Sequence, residues 1–192
     1  MALDIVIFYG SVRPARQGIR GARFITTICR ERGHSATLID PIEYRLPLLE
    51  KMYKEYPKGE APEPLERLAG IIRAADAFII VSGEYNHSIP PALSNMLDHF
   101  LEEYFFRPSG IVCYSGGSFG GVRAAVQLRA MLGELGMPSI PSIFPIPSVQ
   151  TAMEEDGTPT DERTATRIVK FMKELEWYAS ALKEARAKGL PY

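Results

Sequence analysis

Ala77-Phe78-Ile79-Ile80-Val81-Ser82-Gly83-Glu84-Tyr85-Asn86-His87-Ser88-Ile89-Pro90-Pro91-Ala92-Leu93-Ser94-Asn95-Met96-Leu97-Asp98 reads in three pieces. The opening apolar run, 77–81, is short, rich in β-branched residues and bounded by polar punctuation, the pattern of a fully buried strand in a parallel sheet. Pro90-Pro91 closes the loop and suits a first helical turn, where a missing N–H costs nothing. An amphipathic stretch from 91 to 104 leaves it. In open α/β sheets ligands sit at the carboxyl ends of strands, where this loop falls. Tyr85, Asn86 and Ser88 give the loop a flat ring, an amide and a hydroxyl; the competing reading is a polar loop that only caps the next helix.

Outward from this segment the same alternation repeats. Residues 3–9, 35–39, 109–114 and 137–144 have strand character, the last weakened by Pro138 and Pro141. Residues 19–32, 65–75, 122–135 and a final stretch running from about 160 towards 188 have helical spacing. Five strands alternating with helices specify an α/β doubly wound parallel sheet with right-handed crossovers, here expected as one domain over residues 1–192. Loops after the first, third and fourth strands then gather at one edge. Residues 40–64 carry five prolines and an aromatic group, Tyr44, Met52, Tyr53 and Tyr56; a segment of that length reads as a lid, a contact with the body or a partner, or disorder. Trp177 and Tyr178 are assigned to the core, with a subunit contact as the alternative, and His34 to the surface.

Composition narrows the function classes. With 22 basic against 23 acidic residues and net charge −1, nothing points to a nucleic-acid partner. No apolar run reaches the ~18 residues of a membrane span, and the chain is assigned to the cytoplasm. Cys29 and Cys113 make neither a disulfide framework nor a four-ligand metal set, and the spacing of His34, His87 and His99 suggests no metal site.

The first loop, Gly10-Ser11-Val12-Arg13-Pro14-Ala15-Arg16-Gln17-Gly18, lies between a strand and a helix N-terminus. Free N–H groups and the helix dipole make that place a phosphate cradle, to which Ser11, Arg13 and Arg16 add a hydroxyl and forked donors. Neither the P-loop nor the dinucleotide fingerprint is present. The third loop, Ser115-Gly116-Gly117-Ser118-Phe119-Gly120-Gly121, satisfies Gly-x-Ser-x-Gly after a strand. All three histidines precede Ser118, however, whereas hydrolases of that pattern place the histidine last. Dense glycine also suits a backbone lying against a flat ligand.

Together the loops resemble those of the NAD(P)H-dependent FMN reductase family, which includes quinone, azo-dye and chromate reductases. Gly10-Ser11-Val12-Arg13 matches the start of that family's first loop. Glu84-Tyr85-Asn86, Ser88, Pro90, Leu93, Asn95 and Asp98 match its second, with Gly83 in place of a proline. Ser115, Gly117, Gly120 and Gly121 match its third. The resemblance implies a flavodoxin-like fold with strand order 2-1-3-4-5 and helices on both faces. It implies FMN and NAD(P)H as cofactors, a quinone, flavin or similar small acceptor, and a homodimer or homotetramer. Carried over, Ser11 and Arg13 contact phosphate, Glu84, Tyr85 and Asn86 the flavin, and Ser115, Gly116 and Gly117 its polar edge. Tyr85 and His87 are placed to touch the acceptor, and no dedicated acid or base is required. At Arg16, Gln17 and Gly18 the chain departs from the family's serine and asparagine, which leaves open either substituted donors or an altered phosphate site. The rival readings are a flavodoxin-type electron carrier, a member that has lost its flavin and serves as a binding module, and an esterase using Ser118.

Overall fold

The computed structural model describes all 192 residues. Five strands, β1 (Asp4–Tyr9), β2 (Ser35–Ile39), β3 (Ala77–Ser82), β4 (Ser109–Tyr114) and β5 (Ser139–Ile146), form one sheet in the order β2-β1-β3-β4-β5. Every pairing is parallel. That order is the flavodoxin-like doubly wound arrangement, and its topological switch point lies between β1 and β3.

Alternation along the strands builds two cores. Val6 and Phe8 of β1, Phe78 and Ile80 of β3, and Ile111 and Cys113 of β4 face one side. There they meet α2 (Glu63–Ala74), α3 (Pro91–Asp98) and α4 (Val122–Glu134) through residues such as Leu68, Leu97 and Leu128. Ile7, Tyr9, Ile79, Val81 and Val112 face the other side, covered by α1 (Ile19–Glu31) and α6 (Glu162–Ala187) through Ile25, Phe171 and Leu175. Each such side chain contributes roughly 1.5–3 kcal/mol when fully buried. No helix is long and apolar enough to cross a membrane.

The strand at 137–144 begins later than its sequence suggests. Gly136, at φ 75°, and Met137 still cap α4, with Met137 N bonded to the Leu132 carbonyl at 2.8 Å. Pro141, which has no N–H, then falls where the β4–β5 register shifts, between the Ser109–Ser139 and Ile111–Ile143 pairs. The helix after the central loop stops at Asp98, and 99–104 ends in a 3-10 turn, Glu102–Tyr104. The loop expected after β5 contains a short helix, α5 (Val149–Ala152).

Residues 40–64 are pinned to the body. Tyr44 and Tyr53 are 9% exposed and join the core, and the Tyr53 hydroxyl donates to Glu66 at 2.7 Å. Two sequence assignments need correction. Trp177 is 67% exposed, because the buried stripe of α6 runs through Ile168, Phe171, Met172, Leu175 and Ala179 and leaves position 177 off that face. His34 is not a surface residue: its side chain is 6% exposed and its Nε2 lies 2.9 Å from Glu176.

Gly121, the N-cap of α4, sits at φ 77° with its absent Cβ position 2.6 Å from the Tyr114 carbonyl oxygen. Gly121→Ala should therefore lower stability by about 2 kcal/mol, a Tm loss of about 4–8 °C. Gly70, in the exposed middle of α2 with nothing within 4 Å, is the control. Gly70→Ala should raise stability by about 0.5–1 kcal/mol in the same melts.

Candidate cofactor site

Parallel strands place all their C-terminal ends at one edge, so the three loops foreseen from sequence meet there. They surround a cleft of about 280 Å³. Ser11, Arg13, Arg16, Gln17 and Gly18 line it from the first loop, Glu84 and Tyr85 from the second, and Ser115 and Gly116 from the third. Asn86, His87 and Gly117 do not line it. Asn86 and His87 form the tip of a two-residue turn, at φ 51° and 64°, closed by Tyr85 N to Ser88 O at 3.0 Å and Ser88 N to Tyr85 O at 2.9 Å. Their side chains are exposed. Positive φ at both central residues is what such a turn demands, and Asn and His tolerate it better than most residues.

At the first loop the backbone N–H groups of Val12, Arg16, Gln17 and Gly18 make no hydrogen bond within the chain, and the N-terminus of α1 follows. These donors and the helix dipole attract an anion. The two arginines differ in availability. Arg13 is exposed and its guanidinium has no partner. Arg16 is bidentate to Asp40, 2.5 Å on each nitrogen, with the pair 17% and 7% exposed. It also donates to the Ser11 carbonyl at 3.1 Å and lies 5.2 Å over the Tyr9 ring. Its charge is cancelled where it stands, and it ties the first loop to the end of β2.

Tyr114, the last residue of β4, gives the cleft a floor that sequence reading missed. A Cβ on Gly18 would meet its ring at 1.9 Å, so the ring's close approach requires glycine there; one on Gly83 would stand 3.1 Å away, a tight contact. Tyr114 stacks on Tyr9 at 6.2 Å, and their hydroxyls are 3.4 Å apart. Burial pushes both phenols above their ordinary range, so both stay protonated at neutral pH. Ser11 Oγ and the Tyr85 hydroxyl, 3.0 Å apart, bridge the first and second loops.

In the third loop, Ser115 Oγ donates to the Gly117 carbonyl and accepts from Gly120 N, both 2.9 Å. Its hydroxyl thus shapes the loop, while the N–H groups of Gly116, Gly117 and Ser118 have no partner in the chain. Gln150, from α5, donates to the Gly116 carbonyl at 3.1 Å and lines the cleft with Val149. Neither had a signal in the sequence, since α5 was hidden in an expected loop. Ser118 is exposed, and no histidine is bonded to it.

A sequence profile of the NADPH-dependent FMN reductase family matches residues 3–151. A quinone reductase of Pseudomonas putida strain KT2440 is 28% identical over 191 residues, 96% of this chain and 97% of its own. An NAD(P)H-dependent FMN reductase of Pseudomonas aeruginosa is 30% identical over 128 residues, 64% of this chain and 69% of its own. The solved structure of FerB, a flavoenzyme NAD(P)H:(acceptor) oxidoreductase of Paracoccus denitrificans, superposes with TM-score 0.73 at 22% identity, covering 95% of this chain and 98% of that one.

Glu84 joins the second loop to α4. Burial pushes its carboxyl up, but the Arg123 guanidinium at 2.9 Å and the Arg123 N–H at 3.1 Å outweigh that and hold it below the usual 4.5. A depressed folded-state value contributes stability that is complete above about pH 4.5 and is lost as pH falls through the folded value. In Arg123→Met the Glu84 carboxyl resonance should titrate at higher pH; the urea midpoint at neutral pH should be lower than the parent's, and it should fall less than the parent's as pH drops through the carboxylate range.

Proposed function

The chain belongs to the NADPH-dependent FMN reductase family, and on that premise we propose that it oxidises NAD(P)H through FMN held in this cleft and passes the electrons to a quinone or similar small acceptor. The observation that carries the reading is the division of the cleft into two kinds of donor. One end has Ser11, Arg13 and the unpartnered N–H groups at α1, chemistry for a phosphate monoester. The other has a glycine loop whose free N–H groups border open space: a Cβ on Gly117 would meet nothing within 4 Å, and one on Gly116 only Gln150 Oε1 at 3.9 Å. That suits the polar edge of a flat heterocycle. The residues therefore fit the group.

When bound, FMN supplies hydride acceptance and electron release; the protein supplies position and polarity. Ser11, Arg13 and the α1 amides would hold the phosphate. Arg16, locked on Asp40, keeps Ser11 in place. Gly116, which lines the cleft, would offer a fixed N–H dipole to the electron-rich edge of the ring. At about 280 Å³ the cleft is just below the ~300–1,000 Å³ of sites for such ligands, and Ser11 and Tyr85, which line it, are bonded to each other, so the Ser11 hydroxyl would have to leave Tyr85 to reach a bound phosphate. His87 and Asn86, at the tip of the turn, are left to face the acceptor. On this reading residues 1–192 act as one unit, α6 completing the face that α1 begins. The protein is read as cytoplasmic, and as a homodimer or homotetramer, the assembly supported by the exposed apolar residues Val12, Ile42, Leu48 and Leu49.

An absorption spectrum followed by anaerobic NADPH is the direct test. A flavin spectrum that bleaches, and recovers with a quinone, is expected; flavin that NADPH cannot bleach indicates a carrier, and colourless protein unable to bind FMN overturns the reading. Ser11→Ala should weaken FMN binding about tenfold, the loss of one charge-assisted hydrogen bond. Ser118→Ala should leave reductase activity unchanged, with no esterase activity in either protein.

A further inference from the structure

A second cavity, of about 250 Å³, lies beneath residues 45–51 and against the start of α2, and none of its lining residues lines the cofactor cleft. Leu46, Pro47, Leu65 and the ring of Tyr56, over which the Lys51 ammonium sits at 4.2 Å, give it apolar wall, and Arg45, Glu50 and Lys51 also line it. The segment that roofs it is held by Asn95, whose Nδ2 donates to the Pro47 carbonyl at 2.8 Å and whose Oδ1 accepts from Leu49 N at 2.9 Å. The cavity is therefore formed in advance of any ligand.

Its one buried polar side chain is His99, 1% exposed. His99 Nδ1 is 2.7 Å from the Asn95 carbonyl oxygen. A carbonyl only accepts, so Nδ1 carries the hydrogen and Nε2 of the neutral ring is a bare lone pair. Nε2 has no hydrogen-bond partner in the chain. Every fully buried side-chain nitrogen and oxygen is partnered, so the trace of surface left to Nε2 is surface facing the cavity.

We propose that this cavity binds a single-ring hydroxylated aromatic compound, its O–H donated to His99 Nε2 and its ring packed among Leu46, Leu65 and Tyr56. At about 250 Å³ the cavity has room for one ring. The buried, unpartnered Nε2 selects an O–H donor over a plain arene, since only the donor pairs with it. The cationic Lys51 at the wall favours an electron-rich ring.

The test uses the purified protein with its cofactor, ¹⁵N-labelled, titrated with phenol and separately with anisole, the same ring with its O–H methylated. Phenol should bind saturably and move the His99 Nε2 resonance, and anisole should bind at least about fivefold more weakly. His99→Phe, which keeps a ring and removes the acceptor, should bind the two alike. Equal affinity of the parent protein for phenol and anisole overturns the proposal. So does phenol binding that perturbs flavin absorption while His99 stays still, which would place phenol in the cofactor cleft, and so does the absence of saturation up to phenol's solubility. Should His99→Phe fail to fold, the phenol–anisole pair in the parent protein decides alone.

Discussion

The pairing of β1 with β3, in register from Ile5 against Ala77 to Tyr9 against Val81, is the constraint on which the rest depends. From β1 the chain leaves towards β2, and from β3 towards β4, so the two loops that follow diverge and open a crevice between them. Gly10 N continues the ladder to the Val81 carbonyl at 3.1 Å, fixing where the first loop leaves the sheet. Its missing side chain lets α3 come close, since a Cβ there would stand 3.0 Å from Leu93 Cβ. Strand register, loop departure and helix approach are thus set together at one point, and the cleft is what remains between the elements they place.

Electrostatics then sorts the polar residues into those that build and those that bind. A guanidinium and a carboxylate that are each mostly buried are strongly destabilising when unpaired, so Arg16 and Asp40 hold one another in both directions. Arg13, one turn of loop earlier and exposed, has no such partner. Sequence alone credits both arginines to an anion site, because each is a cation in a loop before a helix. Only the end of β2 reveals that Asp40 reaches one and not the other. Residues 16–18 depart from the family's usual serine and asparagine; around them the backbone amides and Ser11 are donors, and Arg16, paired with Asp40, holds the loop.

Much of this was legible from local chemistry. Strand and helix character follow from periodicity and punctuation, and the edge at which the loops meet follows from parallel pairing. Of the expected residues, those missing from the cleft, Asn86, His87 and Gly117, sit at the outer turns of their loops; sequence gives their neighbourhood but not the direction a turn faces. Tyr114, Val149 and Gln150 were missed for the opposite reason. Tyr114 reads as the last residue of a buried strand, and Val149 and Gln150 belong to a four-residue helix too short to carry a period. Trp177 was misplaced because aromatic bulk suggests a core where helix phase decides.

Gly-x-Ser-x-Gly after β4 illustrates how far a pattern depends on its surroundings. A nucleophile elbow needs a base within reach, and Ser118 is an exposed hydroxyl with no histidine bonded to it. Nor do the cleft's perturbed groups offer acid–base work near neutrality. Glu84 is held ionised by Arg123, and burial keeps Tyr9 and Tyr114 protonated. Each of these groups keeps one charge state across the working range. A cleft of fixed charges, fixed dipoles and close-packed glycines is suited to holding a reactive group in one orientation, and the reaction that fits it is one whose chemistry arrives with the cofactor.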